Sequence, residues 1–398
     1  MNKGIEIARG KTKVLYEVPG QPDFLVATQT DAISAGDGAR RSEIVGKGRL
    51  AAQTSARVFR LLNLCGLPTH YVNGGEDDDD NETLVRRCNM IPLEVVVRGV
   101  AAGSLLKRNP GLQRGSLLVP RMIEYFFKDD ANHDPQISAD QIVARGIANP
   151  AEVAAMTELA RLTFEVLAHA WRKREVLLVD LKVEFGRLAG GENSGQLVIA
   201  DVIDNDSWRI WPQGREELML DKQLFRNLEN VDADGLAKVK AAYEQVAEMV
   251  MSFPVMRSGM VAVFADSQVH LEAANAVIAQ LAAFGVPTIR HVANATRTPS
   301  YVLQLVTQLE ATFARLLFVA VGDDALHAML EFATPAPVID GGGDPQTIGL
   351  RCAKVLGAED TVIFGRTLLV QANLRSEVLQ ADAMAQSANV PPPGTKVG

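Results

Sequence analysis

The part of the chain that most constrains its fold is residues 179–211, where two strand-like runs flank a glycine-rich turn. Charged and apolar side chains alternate in the first run, VDLKVEFG. Because side chains point alternately to the two faces of a strand, this run predicts a strand with one apolar and one charged face. The second run, from Leu197 to Ile203, is apolar except for Asp201. A β-hairpin of the two runs would bring Glu184 close to Asp201.

Glu184 and Asp201 admit two interpretations. Two like charges on a half-buried face repel each other unless a metal ion or a cationic partner lies between them. Oxygen ligands at this spacing suit Mg²⁺ carried by a nucleotide. Ordinary carboxylates on a solvated strand face would leave the same pattern, so these two residues alone do not decide between the interpretations.

Size and composition indicate a globular protein of several domains. A chain of 398 residues is long for one core and predicts two or three domains. The net charge of −8, with no basic block, argues against a nucleic-acid partner. No apolar run approaches the roughly 18 residues of a membrane span, and a signal-peptide pattern is absent. We therefore expect a cytoplasmic protein that does not bind membranes.

The composition changes near residue 258. Charged residues concentrate before this point, whereas the rest of the chain is apolar and rich in alanine. Before the change, Asp232 is the predicted N-cap of a helix that ends before Pro254, and residues 254–259 form a predicted linker. Strand-like and helical patterns then alternate, which predicts a parallel, doubly wound sheet. The predicted strands lie at 260–264, 288–292, 316–321 and from 338, and the predicted helices lie at 269–284, from 299 and up to 332.

Two motifs near the N-terminus combine cations with small residues. Lys11 and Lys13 follow Gly10 and lead into a strand, an arrangement that can fold over a triphosphate, although a solvated turn explains it as well. The segment SAGDGARR, residues 34–41, offers glycines that let the backbone approach a ligand, together with a hydroxyl, a carboxylate and two guanidiniums. The alternative is a tight turn that enters a helix at about 46–64.

Two further motifs follow. The segment VVVRGVAAGSLLKRNPG, residues 95–111, begins with a buried strand and then brings an arginine and a serine to a small-residue turn. Such a pair can clamp a phosphomonoester. The segment KDDANHDP, residues 128–135, packs three aspartates and a histidine beside a lysine. Its spacing does not fit a metal site, so we interpret it as a substrate-binding or ordered polar loop.

Six motifs in chain order resemble the signatures of the phosphoribosylaminoimidazole-succinocarboxamide synthase (SAICAR synthetase) family. They are GKTK, SAGDGARR, MIPLEVVVRGVAAGSLLKRNPG, FFKDDANHDP, VDLKVEFG and ADVIDNDSWRIWP, and they cover residues 1 to about 250. Several forms are most similar to the animal bifunctional purine enzyme, in which the synthetase precedes a phosphoribosylaminoimidazole (AIR) carboxylase. The resemblance implies an α+β, ATP-grasp-like synthetase region followed by an α/β doubly wound, flavodoxin-like parallel-sheet domain.

The expected domain boundaries follow from the resemblance and the composition. The synthetase is expected over 1–253, with a small β-rich part at about 1–95 and a larger α+β part at about 96–253. The carboxylase-like domain is expected over 260–388. The tail at 389–398 contains three consecutive prolines and is expected to be disordered.

The resemblance implies an ATP-dependent ligation of L-aspartate to the carboxylate of carboxyaminoimidazole ribonucleotide (CAIR) in de novo purine biosynthesis, by way of an acyl phosphate. Such a reaction brings anions together, so it needs cations and positioning more than a protein nucleophile. By resemblance, ATP is expected at Lys11, Lys13 and Met90, and Mg²⁺ at Glu184 and Asp201, which also belong to the ATP site. CAIR is expected at Ser34, Asp37, Arg40, Arg98, Ser104 and Arg209, and L-aspartate at Lys128, Asp130, Asp134, Lys222 and Arg226. The expected catalytic residues are Lys11, Lys13, Asp201 and Arg209.

The second part resembles the carboxylase in outline but departs from it at the motifs. The family's GSxSD loop reads ADSQV at 265–269, its Ser-Ala-His segment reads NAT at 294–296, and its glycine-rich loop reads VGDD at 321–324. Acidic residues in a phosphate loop remove amide donors and add repulsion. We therefore expect a non-catalytic domain that holds a homo-oligomer together, since carboxylases of this type form octamers. A bifunctional enzyme that still makes CAIR and a non-enzymatic regulator are the alternatives.

Overall fold

The computed structural model describes residues 1–35, 40–77, 80–255, 259–292 and 299–388. Asp37, the segment 294–296, the middle of the expected linker and the expected tail all lie outside the described residues. The chain divides into two compact units, Met1–Val255 and Met256–Gly398. Within the described ranges, none of the helices has the length and apolar character that a membrane span requires.

The first unit combines antiparallel sheets with the helices that cover them. Its strands are β1 (Glu6–Arg9), β2 (Lys13–Glu17), β3 (Phe24–Gln29), β4 (Ala32–Ala35), β5 (Arg40–Glu43), β6 (Tyr71–Gly74), β7 (Glu82–Arg86), β8 (Cys88–Val100), β9 (Leu117–Phe127), β10 (Gln136–Ile137), β11 (Val176–Leu188), β12 (Leu197–Ala200) and β13 (Trp208–Pro212). Its α-helices are α1 (Lys47–Leu64), α2 (Ser104–Arg108), α3 (Ala139–Ala144), α4 (Pro150–Arg172), α5 (Gln223–Asn227) and α6 (Ala233–Met249).

The first sheet has the strand order β1-β2-β3-β7-β6. Helix α1 packs against this sheet and buries Phe59 and Leu62. The Asp31 carboxylate accepts the backbone N–H groups of Gly46 and Gly48, at 3.0 and 2.9 Å, where α1 begins. These amides have no acceptor within the helix, so a carboxylate stabilises the start of α1.

The second sheet has the order β10-β9-β8-β11-β12, and β13 also pairs with β11. The predicted alternation along β11 is confirmed. Leu181, Val183 and Phe185 are fully buried on the face against which α4 packs. Lys182 and Glu184 therefore lie on the opposite, charged face, because side chains alternate along the strand.

The predicted hairpin is the antiparallel pair β11 and β12, in which Glu184 lies opposite Ala200. Strand β12 ends at Ala200, and so it is shorter than the predicted run to Ile203. The chain turns at Asp201, whose φ of 66° lies in the left-handed region. Aspartate is one of the few residues other than glycine that adopts this conformation readily.

Helix α6 begins at the predicted N-cap. The Asp232 side chain accepts the backbone N–H of Gly235 at 2.8 Å. A short 3₁₀ turn, Val250–Ser252, follows the helix. Tyr243 is buried on the inner face of α6 and packs in a cluster with Phe225 and Leu50, so the last helix of the unit covers the region around α5.

The second unit alternates strands and helices. Its strands are β14 (Met260–Ala265), β15 (Thr288–Val292), β16 (Leu316–Val321) and β17 (Val338–Asp340). Its helices are α7 (Leu271–Ala283), α8 (Pro299–Thr312), α9 (Asp324–Ala333), α10 (Pro345–Gly357) and α11 (Thr361–Ala388). Each of these strands lies at or within a residue or two of its predicted position.

The four described strands of the second unit form one parallel sheet of order β15-β14-β16-β17. Residues of α7, α10 and α11 pack in one apolar cluster with alternate residues of β14 and β16. Residues of α8 and α9 pack against the remaining residues of the same strands. Helices therefore cover both faces, which confirms the predicted doubly wound, parallel sheet.

Candidate active site

Two adjoining cavities lie in the first unit, where the first and second sheets meet. One has a volume of about 390 Å³ and a mainly apolar lining that includes Leu15, Leu25 and Val85. Met90 and Ile91, at the start of β8, also line it. A cavity of this size and character can hold a flat ring with little polar surface.

The second cavity, of about 470 Å³, is lined by polar and charged side chains. It brings together residues that belong to widely separated motifs in the sequence, namely Lys11, Lys13, Ser34, Lys128, Asp134, Glu184, Asp201, Lys222 and Arg226. Lys13, Lys128, Glu184, Asp201 and Val202 line both cavities. We refer to these five residues as the shared wall.

Ion pairs hold the carboxylates of the shared wall. Glu184 accepts hydrogen bonds from Lys128 Nζ at 2.6 Å and Lys182 Nζ at 2.9 Å. Lys13 donates to Asp201 in the same way. Lys182 also donates to Glu94 at 2.8 Å. The turn after β12 thus places Asp201 next to the lysine of the GKTK motif.

These contacts set the protonation states of the shared wall. Burial raises the pKa of Glu184, but the ammonium groups of Lys182 and Lys128 outweigh burial and lower the pKa to about 2. Burial lowers the pKa of Lys13 to about 8. Glu184 is therefore fully ionised near neutral pH, and Lys13 remains mostly charged.

Glu184 and Asp201 offer the oxygen ligands that Mg²⁺ prefers. No group of three or more histidine, cysteine, aspartate or glutamate side chains within the described ranges could hold a metal ion by itself. The two carboxylates would thus need further oxygens from a bound ligand. The donor set fits a Mg²⁺ ion that arrives with the phosphates of a nucleotide.

The charged face of the second sheet continues beyond the shared wall into a buried ion network. Arg98 donates to Asp180 at 3.0 Å and also to Glu124. Arg209 donates to the same Asp180 carboxylate, and Arg108 donates to Glu124 at 2.5 Å. Strand register explains the network, because Asp180 lies opposite Arg98 on β8 and opposite Arg209 on β13.

The remaining predicted site residues have different surroundings. A Cβ on Gly103 would lie 2.5 Å from the Arg209 guanidinium, so the absence of a side chain there lets Arg209 approach the loop before Ser104. Ser104 is exposed at the start of α2. Arg40 donates to the carbonyl oxygens of Phe225 and Leu228, at 3.2 and 2.6 Å, near the end of α5. Asp130 begins the short 3₁₀ turn Asp130–Asn132.

Comparison with known proteins agrees with this geometry. Residues 6–248 match the model of the family described as SAICAR synthetase. The chain belongs to the SAICAR synthetase family. This synthetase is 53% identical over 249 residues to the phosphoribosylaminoimidazole-succinocarboxamide synthase of Chloroflexus aurantiacus, an alignment that covers 63% of this chain and 97% of the relative. It is accordingly a ligase of purine biosynthesis that forms a C–N bond.

Two further proteins show how much of the chain is similar to known relatives. The bifunctional phosphoribosylaminoimidazole carboxylase/phosphoribosylaminoimidazole succinocarboxamide synthetase of Drosophila melanogaster is 35% identical over 391 residues, which covers 93% of this chain and 90% of that protein. A solved SAICAR synthetase in complex with ADP superposes with a TM-score of 0.55 at 34% identity, which covers 62% of this chain and 98% of that one. The family of this synthetase therefore includes bifunctional relatives in animals.

Sequence reasoning did not assign Lys182, Glu94 or Asp206 to the site of this synthetase. Lys182 lies between Asp180 and Glu184 on the charged face of β11, so the alternation already indicated it. Glu94 could have been found from pairing, because it lies opposite Glu184 on β8. Asp206 lines the second cavity, and only the fold of the loop between β12 and β13 brings it there.

The carboxyl end of the sheet in the second unit has a different arrangement. In the strand order β15-β14-β16-β17, the chain continues from β14 to β15 on one side and from β16 to β17 on the other. Doubly wound sheets bind ligands at the carboxyl ends of two strands between which the order reverses in this way. Asp266, just after β14, accepts the backbone N–H of Asp323 at 2.9 Å and lies 2.6 Å from His270 Nδ1. Its carboxylate lies 2.2 Å from where a Cβ on Gly322 would be. A side chain of the protein therefore occupies this end of the sheet.

Proposed function

We propose that the first unit ligates L-aspartate to the carboxylate of CAIR, with conversion of ATP to ADP and phosphate, to give SAICAR. The observation that carries this proposal is the shared wall between an apolar cavity and a cation-rich cavity. One cavity suits a nucleobase, and the other suits two anionic substrates. The β-rich part with the first sheet and the α+β part with the second sheet meet at these cavities, which also supports an ATP-grasp-like architecture.

The nucleotide would span both cavities. Its adenine would lie in the apolar cavity near Met90, and Lys11 and Lys13 would bind its phosphates. The ADP complex of the related synthetase supports nucleotide binding at this family's site. Lys13 pairs with Asp201 in the structure. When the phosphates and a cation bind, Lys13 would pair with a phosphate and Asp201 with the cation.

Glu184 and Asp201 are the proposed Mg²⁺ ligands. A bound Mg²⁺ ion would offset the negative charge on the phosphoryl oxygens. The lysines that now pair with the two carboxylates would then be available to the phosphates and to the carboxylate of CAIR. Lys128 and Lys182 contact Glu184 and are thus close to the place where those anions would meet.

The proposed chemistry has two displacements. A carboxylate oxygen of CAIR attacks the γ-phosphorus of ATP, the bond to the β–γ bridging oxygen breaks, and ADP leaves. The aspartate nitrogen then attacks the carbon of the acyl phosphate, the bond from carbon to the phosphate oxygen breaks, and phosphate leaves. The aspartate ammonium group loses one proton before it attacks, and the nitrogen loses a second when the amide forms; both go to a nearby carboxylate or to water. The protein supplies positioning and charge, so no protein nucleophile is required.

The substrate sites are assigned along the charged face and the second cavity. For CAIR we retain Ser34, Asp37, Arg40, Arg98, Ser104 and Arg209. Arg209 is the catalytic candidate because its guanidinium is held by Asp180 within the buried network that adjoins the shared wall. For L-aspartate we retain Lys128, Asp130, Asp134, Lys222 and Arg226, of which Lys128, Asp134, Lys222 and Arg226 line the second cavity.

The decisive assay is ADP release from the full chain with ATP and Mg²⁺ present. We expect sustained release over many turnovers only when CAIR and L-aspartate are both added, with SAICAR formed in equal amount. ADP release with neither substrate, or no release with both, would contradict the proposal. Release that depends on both substrates would also exclude a non-enzymatic regulator.

We infer that the second unit is non-catalytic and holds a homo-oligomer together, with an octamer as the expected assembly. Asp266 supports the loss of catalysis, because its carboxylate takes the place where an anionic ligand would bind. Phe332 is 91% exposed and Val269 is 83% exposed, and contact between copies at these side chains would remove their apolar surface from water. Sedimentation tests this role, because the full chain should form a homo-oligomer, whereas a chain truncated after Phe253 should contain fewer subunits per particle. An equal number of subunits in both would contradict the inference.

The likeness to the Drosophila melanogaster enzyme over 93% of the chain favours one alternative, a bifunctional enzyme that also carboxylates AIR. Incubation of the full chain with AIR and bicarbonate separates the two possibilities. We expect no CAIR above the uncatalysed background. Formation of CAIR in proportion to protein concentration would establish the bifunctional alternative.

A further inference from the structure

A network of buried side chains behind the second cavity ends at Lys222. Asp206 accepts hydrogen bonds from Lys222 Nζ at 2.9 Å and from the Tyr243 hydroxyl at 2.5 Å. The Lys47 ammonium lies 3.9 Å from the same carboxylate and 5.4 Å from the centroid of the Tyr243 ring. Asp206 and Lys222 line the cavity, whereas Lys47 and Tyr243 are each only 1% exposed.

The charges of this network are arranged so that Lys222 remains available to an anion. Burial raises the pKa of Asp206, but the ammonium groups of Lys47 and Lys222 outweigh burial and lower it, so Asp206 is ionised. Lys47 offsets this negative charge from the buried side. The contact with Asp206 uses one of the three N–H donors of Lys222, and Lys222 itself lines the second cavity.

The network also fixes the position of a flexible side chain. A lysine has four rotatable bonds and loses considerable rotamer freedom when it binds a ligand. Asp206 holds the Lys222 ammonium before the ligand arrives, and Tyr243 and Lys47 hold Asp206. Fixing a binding group in advance strengthens binding because less freedom is lost on association.

We propose that Tyr243 and Lys47 are positioning residues that, through Asp206, hold Lys222 where it binds a carboxylate of the amino-acid substrate. The inference rests on the proposed function, because it takes that substrate to be an α-amino dicarboxylate. It makes helix α6, which carries Tyr243, part of the site. Neither Tyr243 nor Lys47 lies in the six motifs that resemble the signatures of the family.

The test is the Tyr243→Phe variant of the full chain, which removes one hydroxyl and keeps the ring beside Lys47. We expect the KM for L-aspartate to rise about fivefold to tenfold, which is less than the direct loss of a hydrogen bond to a charged group would give, because Tyr243 acts on Lys222 only through Asp206. The KM for ATP and the kcat should stay within about twofold, because Tyr243 acts on neither. A general loss of structure would instead change all of these values together.

Tyr125→Phe is the matched control. The Tyr125 hydroxyl makes a hydrogen bond of the same length, 2.5 Å, to Thr157 Oγ1 on the face of the second sheet that α4 covers. The control variant loses a comparable contact away from the cavities, so its KM for L-aspartate should equal that of the unaltered protein. An equal rise in both variants would overturn the inference.

A double-mutant cycle with Lys222→Met tests whether Tyr243 acts through Lys222. If it does, Tyr243→Phe has no further effect on the KM for L-aspartate in the Lys222→Met background. Independent, multiplying effects would overturn the inference. An unaltered protein that does not consume L-aspartate would overturn the proposed function and this inference with it, whereas an active protein with an unaffected Tyr243→Phe variant would overturn this inference alone.

Discussion

Carboxylates line the proposed site of the first unit and also lie at the carboxyl end of the sheet in the second unit, but the neighbours of these carboxylates differ. In the first unit, Glu184 and Asp201 pair with lysine ammonium groups and face two cavities. In the second unit, Asp266 is held by a backbone N–H and by His270. The lysines beside Glu184 and Asp201 could instead form ion pairs with an incoming anion. We propose that Asp266 takes the place of an anionic ligand in the second unit, whereas the carboxylates of the first unit have lysines that an anion could attract.

The largest effect predicted by this comparison is on activity. Asp201→Asn removes the charge of one of the two proposed Mg²⁺ ligands in the shared wall, so we expect turnover to fall at least about a hundredfold. The fold should be unchanged by circular dichroism, because Asp201 lies in a turn after β12. Asp140→Asn, on the surface of α3, is the control and should keep the normal rate. A near-normal rate for Asp201→Asn would refute the proposed metal role.

The next effect concerns the stability of the charged face. Arg98→Met leaves Asp180 and Glu124 with one fewer cation in a buried setting, so we expect the first unit to lose about 3–5 kcal/mol of unfolding free energy. Arg114→Met is the control, because Arg114 pairs with Glu216 on the surface and should cost less than about 1 kcal/mol. Urea denaturation measures both variants. Equal losses would mean that the ion network contributes no more than a surface pair.

The pH dependence of stability gives a smaller effect in the same network. Burial raises the pKa of Glu124, but hydrogen bonds from Arg98 and Arg108 outweigh burial and lower it below the ordinary value of 4.5. The stabilisation is therefore complete above pH 4.5 and is lost as the pH falls through the folded-state pKa.

Glu124→Gln tests this dependence, because glutamine does not titrate. The variant should be less stable at pH 7 and should lose less further stability on acidification below pH 4.5. Urea unfolding at a series of pH values measures both quantities. A variant with the same acid dependence as the unaltered protein would show that other groups determine it.

The smallest effect is expected in the second unit. Asp266 is partly exposed, and an asparagine oxygen can still accept the N–H of Asp323, so Asp266→Asn should cost less than about 1 kcal/mol. The SAICAR-forming rate should also be unchanged. A loss of several kcal/mol in thermal unfolding, or the appearance of AIR carboxylation, would show that Asp266 has a larger role than the comparison assigns to it.

Local patterns were sufficient to predict several elements. Alternation placed β11, and apolar runs placed β14 and β16, because burial of one face or both faces imposes its own periodicity. Asp232 was predicted as the N-cap of α6 from residue type alone. The sequence predicts a strand that continues to Ile203, whereas β12 ends at Ala200. The residues on both sides of Asp201 are apolar, so the sequence gives no local signal of the turn.

The amino-acid sequence alone predicts the parallel sheet of the second unit and the hairpin of the first, and it contains the motifs that indicate the family. These features depend on residue order and periodicity, which are local. Which cations contact which carboxylates depends on the three-dimensional fold. Lys13, Lys128 and Lys182 come from β2, the segment after β9, and β11, and Coulomb interactions depend on their separation in space and not along the chain. For the same reason, Tyr243 and Lys47 could be linked to Lys222 only when the helices that carry them were in place.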